Sequence, residues 1–176
     1  MNLTIRRCTP DDLETLRSIS RETYDDTFRA MNTPETMQAY LEEAFDPHKL
    51  LAELTNPHSA FYFLDLDGQL AGYLKLNDAP AQSDLNDPDS LEIERIYIRR
   101  AYHGRGLGAR LLRFALDQAA VAGKRYAWLG VWERNASAIA FYQKMGFVEF
   151  GRHSFRMGEE LQSDLVMRCP VPPAAA

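Results

Sequence analysis

The period of the apolar positions changes several times along the chain, and each change marks an element. Leu3 to Cys8 reads as a short strand. Thr9-Pro10-Asp11-Asp12 then carries a helix start: a capping hydroxyl, a proline suited to the first turn, and acids for the positive helix end. Leu13, Leu16, Ser20, Tyr24 and Phe28 recur at helical spacing. Thr33-Pro34-Glu35 repeats the start signal, and Met37, Tyr40, Leu41 and Ala44 continue one face. Asp46-Pro47 opens a third short helix that ends at Asn56-Pro57.

The pattern then becomes that of strands. Ala60 to Leu66 and Gln69 to Asn77 flank Asp67-Gly68, a two-residue hairpin signal. A polar loop, Ala79 to Ser90, leads to a third strand from Leu91 to Ile98. After a glycine-rich turn at Gly104 to Gly108 comes a helix with Leu111, Leu112, Ala115, Leu116 and Ala119 on its inner face, stopped by Gly123. Tyr126 to Trp132 is a strand, Asn135 to Met145 a helix closed by Gly146, and Phe147 to Gly151 with Leu161 to Cys169 a final strand pair. With no linker or repeat, this order predicts one α/β domain over residues 1–169, followed by a disordered tail over 170–176.

Composition narrows the partners. A chain of 176 residues, 45% hydrophobic and 26% charged, suits one soluble globular domain. Its net charge of −5 argues against nucleic acid and leaves room for a cationic substrate. Cys8 and Cys169 could pair only if the termini meet, and two cysteines exclude a disulfide framework or a Cys-rich metal site. His48, His58, His103 and His153 form no ligand-spaced pair, so no metal is expected. Arg6 and Arg7 precede no apolar run, and no stretch approaches the ~18 apolar residues of a membrane span. The expected location is the cytoplasm, with no membrane partner.

His103-Gly104-Arg105-Gly106-Leu107-Gly108-Ala109 lies between a strand and a helix. Glycines allow close backbone approach, and a helix N-terminus offers unpaired amides with a favourable dipole, which together suit a pyrophosphate. The bland alternative is a turn with no ligand. A nucleoside-triphosphate loop would need Lys and Ser or Thr after its last glycine, and neither is present. Gly104, Gly106 and Ala109 fit a dinucleotide fingerprint, with Glu133 ending the next strand. Against it, Arg99 to His103 separate strand from glycine, the strand holds Glu92, Glu94 and Arg95, and too little chain follows for a second half.

The second motif runs Asn135-Ala136-Ser137-Ala138-Ile139-Ala140-Phe141-Tyr142-Gln143-Lys144-Met145-Gly146-Phe147. Alone it is an amphipathic helix whose Tyr142 could be packing. With the glycine turn before it, the chain resembles the GCN5-related N-acetyltransferase superfamily over Leu3 to Cys169. That superfamily has an [Arg/Gln]-x-x-Gly-x-[Gly/Ala] turn for the CoA pyrophosphate and an Asn-x-x-Ala-x-x-Phe-Tyr-x-Lys-x-Gly-Phe helix. His103 departs from the usual Arg or Gln, while Arg105 still supplies a cation. Ser90 to Ile98, Trp128 to Glu133, His153 to Glu160 and Glu22 to Phe28 are similar to the bacterial spermine/spermidine N-acetyltransferases of the PaiA group.

The resemblance implies a central mixed, mostly antiparallel twisted sheet flanked by helices, with strands splaying apart near Ile98 and Val131 to admit pantetheine. It implies acetyl-CoA held by Ile96, Tyr97, Ile98, His103, Gly104, Arg105, Gly106, Leu107, Gly108, Ala109, Asn135, Ala138, Tyr142 and Lys144. An alkyl ammonium titrating near ~10.4 is about 0.1% neutral at pH 7, so direct attack needs a base. Glu92 and Glu94 share a strand face, and Glu92 aligns with the superfamily's frequent basic carboxylate. The alternative is that both face solvent or pair with Arg95. Tyr142 matches the position that protonates the departing thiolate. Tyr24, Phe28 and Glu94 are expected on the acceptor side.

The acceptor is expected to be a small amine, a polyamine by the narrower resemblance. Glu22, Asp25, Asp26, Glu35, Glu42 and Glu43, and then Asp84, Asp87, Asp89, Glu92 and Glu94, crowd two segments expected to border its groove. A protein or peptide amine, or a CoA-binding regulatory domain without turnover, are the alternatives. The sequence leaves the oligomeric state open, with a homodimer among the choices.

Overall fold

The structure, a computed structural model, describes residues 1–157 and 159–173. The strands are β1 (Leu3–Arg7), β2 (Ser59–Leu66), β3 (Gln69–Asn77), β4 (Ser90–Ile98), β5 (Tyr126–Trp132), β6 (Val148–Met157) and β7 (Glu160–Pro170). The helices are α1 (Leu13–Phe28), α2 (Pro34–Ala44), α3 (Pro47–Thr55), α4 (Leu107–Val121) and α5 (Ala136–Lys144). The strands make one mixed sheet in the order β1-β2-β3-β4-β5-β7-β6. The β1–β2, β5–β7 and β6–β7 ladders are antiparallel and β4–β5 is parallel. No helix among the described residues is long and apolar enough to cross a membrane.

The chain divides into two compact units, Met1–Lys75 with Arg95–Leu111 and Leu76–Glu94 with Leu112–Ala176. In the first unit, the second and third start signals act as read, whereas at Thr9 it is the backbone amide that bonds, donating to Asp12 Oδ2 at 2.8 Å. Thr33 Oγ1 accepts the Thr36 amide at 3.1 Å and Asp46 Oδ2 the Lys49 amide at 3.1 Å, each with proline in the first helical turn. The hairpin after β2 turns through Asp67 and Gly68 at φ 51° and 81°, as a tight two-residue connection requires. Cys8, Leu16, Ile19, Leu50, Phe61, Phe63 and Tyr73 form an apolar cluster in this unit. Gly72 is obligatory for a different reason, because a Cβ there would stand 2.6 Å from the Tyr97 carbonyl.

In the second unit β5 pairs along its whole length with β7, from Tyr126 with Pro170 to Trp132 with Asp164. Its parallel pairing with β4 covers only Ser90–Glu92 against Tyr126–Trp128. Two expectations change here. β6 continues to Met157 rather than ending at Gly151, with a register shift between Glu149 and Gly151. Arg152, His153, Ser154 and Arg156 are all exposed, so no apolar alternation signals the extension. Pro170 and Val171, expected within a disordered tail, are instead held in the fold. Pro170 closes β7, and the buried Val171 donates its amide to Arg125 O at 2.9 Å. Gly158 and residues 174–176 lie outside the described residues. Both cysteines are free and buried, and burial pushes the Cys8 thiol up to about 12.

Candidate active site

The glycine turn belongs to the first unit. β4 ends at half-buried Ile96, Tyr97 and Ile98, and Tyr97 stacks on Tyr73 at 5.8 Å. Arg99 donates to both Glu22 carboxylate oxygens, at 2.7 and 3.0 Å, and a single helical turn over Arg100–Tyr102 delivers the chain to His103. The His103 ring Nε2 lies 2.7 Å from Ile98 O. Where the family pattern wants a charged or amide side chain for the phosphate, this residue ties the turn to the strand end instead. Gly104 and Gly106 hold φ of 78° and 75°, a region costly to any residue with a Cβ, and a Cβ on either would meet nothing within 4 Å. The first bond into α4 runs from Arg110 N to Gly106 O at 3.2 Å. The amides of Leu107, Gly108 and Ala109 therefore have no preceding helical carbonyl, at the positive end of the helix dipole. The Leu107 side chain is buried, and Arg105 rests its guanidinium over Tyr102 at 5.4 Å. This open, donor-rich turn fits a pyrophosphate.

The second unit holds the carboxylates. Glu92 is only 2% exposed, so it does not face solvent. Its Oε1 accepts Asn77 Nδ2 at 2.8 Å and the Ser83 amide at 2.9 Å, and its Oε2 accepts the Ser83 hydroxyl. Asn77 Nδ2 also reaches Glu94 Oε1 at 2.8 Å, so one amide joins both glutamates. Burial raises the Glu92 pKa, the bonds from Ser83 and Asn77 pull it back, and Glu94 adds to the rise. Gln82 braces the loop above, donating to Ser90 O at 3.2 Å and accepting Trp128 Nε1 at 3.3 Å. Arg95, the alternative partner for these acids, bonds Glu53 in the first unit at 2.8 Å.

Glu92 and Glu94 line a cleft of about 450 Å3, solvent included, together with Asp84, Trp128, His153 and Asp164. Sheet register explains the grouping. Asp164 pairs with Trp132 on β5 and with His153 on β6, so all three side chains share one face, as do Trp128 and Gly130. His153 Nδ1 lies 3.4 Å from Asp84 Oδ2. Asp164 accepts no hydrogen bond among the described residues; burial pushes its carboxyl up to about 6, with His153 pulling it down. Sequence reading did not single out Asp164, His153, Asn77 or Ser83 as site residues. The available signal for Asp164 was weak: it is the one acid in the strand Leu161 to Cys169, but Gln162, Ser163 and Arg168 are polar there too.

On α5, Asn135 Oδ1 caps the helix by accepting the Ala138 amide at 3.2 Å. Ala138 and Tyr142 are half-buried and Lys144 is exposed. Tyr142 sits 5.3 Å from the Phe141 ring and 5.9 Å from Phe147, and burial pushes its hydroxyl up to about 12. Tyr24 and Phe28, expected beside the acceptor, lie in the first unit in an aromatic cluster. Tyr24 packs on Phe28 at 4.5 Å, Tyr40 at 4.4 Å and Phe45 at 6.2 Å. Three acids of α1 are matched by arginines, Glu22 by Arg99, Asp25 by Arg29 and Asp26 by Arg100. Among the described residues, no group of three His, Cys, Asp or Glu is placed to hold a metal ion.

Residues 17–147 match the model of the acetyltransferase (GNAT) family. An uncharacterized N-acetyltransferase of Lactobacillus delbrueckii subsp. lactis is 45% identical over 157 residues, 89% of this chain and 91% of its own. A spermidine N(1)-acetyltransferase of Thermoplasma acidophilum is 27% identical over 151 residues, 84% of this chain and 89% of that one. The crystal structure of a PaiA N-acetyltransferase from Thermoplasma acidophilum, in complex with coenzyme A, matches with a TM-score of 0.78 at 25% identity, covering 97% of this chain and 99% of that one.

Proposed function

Because the chain belongs to the acetyltransferase (GNAT) family, we propose that it moves an acetyl group from acetyl-CoA to a polyamine such as spermidine or spermine. The observation that carries the acceptor is the cleft of the second unit, lined by Asp84, Glu92, Glu94 and Asp164 with His153 the one basic side chain in its lining. Acids of one sign in a partly closed site favour a cation, and a polycation most of all. The likeness to a spermidine acetyltransferase supports the same reading.

Bound acetyl-CoA supplies the activated acetyl thioester. The amides of the Gly104–Ala109 turn, with Arg105, hold its pyrophosphate, and His103 acts by keeping that turn against Ile98. The backbone of Ile96, Tyr97 and Ile98, with Asn135, Ala138 and Lys144, holds the pantetheine arm. The Tyr142 hydroxyl, kept protonated by burial, donates to the leaving sulfur as the C–S bond breaks. Glu92 and Glu94 set the negative field that brings the ammonium in.

An acceptor panel with acetyl-CoA, read by thiol release, tests this. Spermidine and spermine should turn over, with an amine KM that rises with ionic strength while the acetyl-CoA KM moves less, since the field is screened over ~8 Å at physiological salt. Turnover of a peptide or neutral-bodied amine with none of either polyamine would overturn the acceptor and leave the acetyltransferase.

A further inference from the structure

Two carboxylates in the cleft differ in what they have left to offer. Glu92 accepts three hydrogen bonds and is 2% exposed. A carboxylate has about four lone-pair sites, so little of Glu92 is available to a substrate. Its bonds run to Asn77 at the end of β3 and to Ser83 in the loop before β4, which it holds in place. Asp164 is half-buried, faces the same cleft, and has both oxygens uncommitted among the described residues.

The strand opposite Asp164 makes room for it. A Cβ on Gly130 would stand 3.3 Å from Asp164 Oδ2, so any side chain there would crowd the carboxylate. Gly130 has an ordinary strand conformation, with no positive φ to require a glycine. The absent side chain leaves the oxygen open to the cleft. The groups around Asp164 are Asp84 from the loop, Glu92 and Glu94 from β4, and His153 from β6; β5 contributes no titratable residue to the lining. His153 is drawn toward Asp84 and leaves Asp164 without a salt bridge.

We infer that Asp164 is the residue that receives the acceptor's ammonium and takes its proton, and that Glu92 is a positioning residue for the loop at Ser83. The inference rests on the cleft being the acceptor site. Asp164 first takes one proton from the ammonium and passes it to water, which frees the nitrogen lone pair. As that pair forms the N–C bond, the C–S pair leaves with sulfur and Tyr142 protonates the thiolate. The second N–H proton leaves through Asp164 and water to restore the Tyr142 hydroxyl. A carboxyl at about 6 is a much better base at neutral pH than an ordinary aspartate, and it stays ionised enough to attract the cation.

The pH profile of kcat/KM for spermidine, paired with a carboxyl 13C NMR titration of Asp164, tests the assignment. The parent should lose activity on an acid limb near pH 6. Asp164→Asn should abolish that limb and lower kcat/KM about 10²-fold, the size of effect typical of a lost general base. Glu92→Gln should keep the limb while loosening the fold. Acetyl-CoA should still raise the melting temperature of the Asp164→Asn protein, which separates a proton role from misfolding. In the titration, spermidine should move the Asp164 midpoint downward. A limb that survives Asp164→Asn overturns the inference, as does a midpoint indifferent to spermidine. If no amine turns over, the proposed function fails, and the spermidine titration still decides the fate of Asp164.

Discussion

Each unit shields a carboxylate in its interior and uses it for an opposite purpose. In the first, Glu53 accepts Lys75 at 2.5 Å and Arg95 at 2.8 Å. Aromatic faces complete the shell, with Lys75 Nζ 5.5 Å from the Phe61 ring and Arg95 5.4 Å from Phe45. In the second, four acids line a cleft whose one basic lining residue is His153. Opposite charges that meet within a unit serve its fold, because each repays part of the other's desolvation. Like charges gathered on one cleft cost stability, which is reasonable only where a ligand supplies the missing sign.

The largest expected effect breaks the balanced cluster. Glu53→Gln removes the carboxylate that both cations bond, and urea unfolding should record a loss of about 3–5 kcal/mol. A loss under about 1 kcal/mol would mean that the cluster does not hold the first unit together.

The next cut belongs to the second unit and should strike turnover rather than fold. Tyr142→Phe keeps the ring between Phe141 and Phe147 and deletes only the hydroxyl, so kcat should fall ~10²-fold with acetyl-CoA affinity little changed. Unaltered turnover would make Tyr142 a packing residue.

The smallest effect has the reverse sign. The folded carboxyl of Asp164, at about 6, lies above its reference value of 3.8. Between those values the native state binds more protons than the unfolded one, so this group's contribution to stability falls as pH rises through the window. Asp164→Asn should therefore raise the melting temperature above pH 6 by about 2–4 °C, the shift 1 kcal/mol gives at this size. It should make no difference below pH ~4. A variant less stable than the parent at pH 7.5 would place Asp164 among the residues that support the fold.

Much of this molecule was legible in order along the chain. Asp67-Gly68, Thr33-Pro34, Asp46-Pro47 and the glycines of the turn each act through φ values or caps set within a few residues. Their structural meaning therefore survives without knowledge of the rest. The helix motif from Asn135 to Phe147 was readable for the same reason, although the cap that Asn135 makes emerges only in the structure. Local chemistry also identified the family, since its two motifs are short and contiguous.

The cleft was not legible in that way. Glu92 read as one of two acids on a strand face, and only the folded chain surrounds it with Asn77 and Ser83. Tyr24 and Phe28 read as acceptor contacts, and only the folded chain shows them gathered with Tyr40 and Phe45, because helical spacing does not say which neighbour will cover a face. Asp164 became a site residue through register alone: β7 lies between β5 and β6, and a slip of one residue would turn its side chain to the other face. Motifs a few residues long follow from bonds the backbone makes with itself. A side-chain constellation drawn from a loop and four strands follows from pairing across long separations, which tertiary structure alone decides.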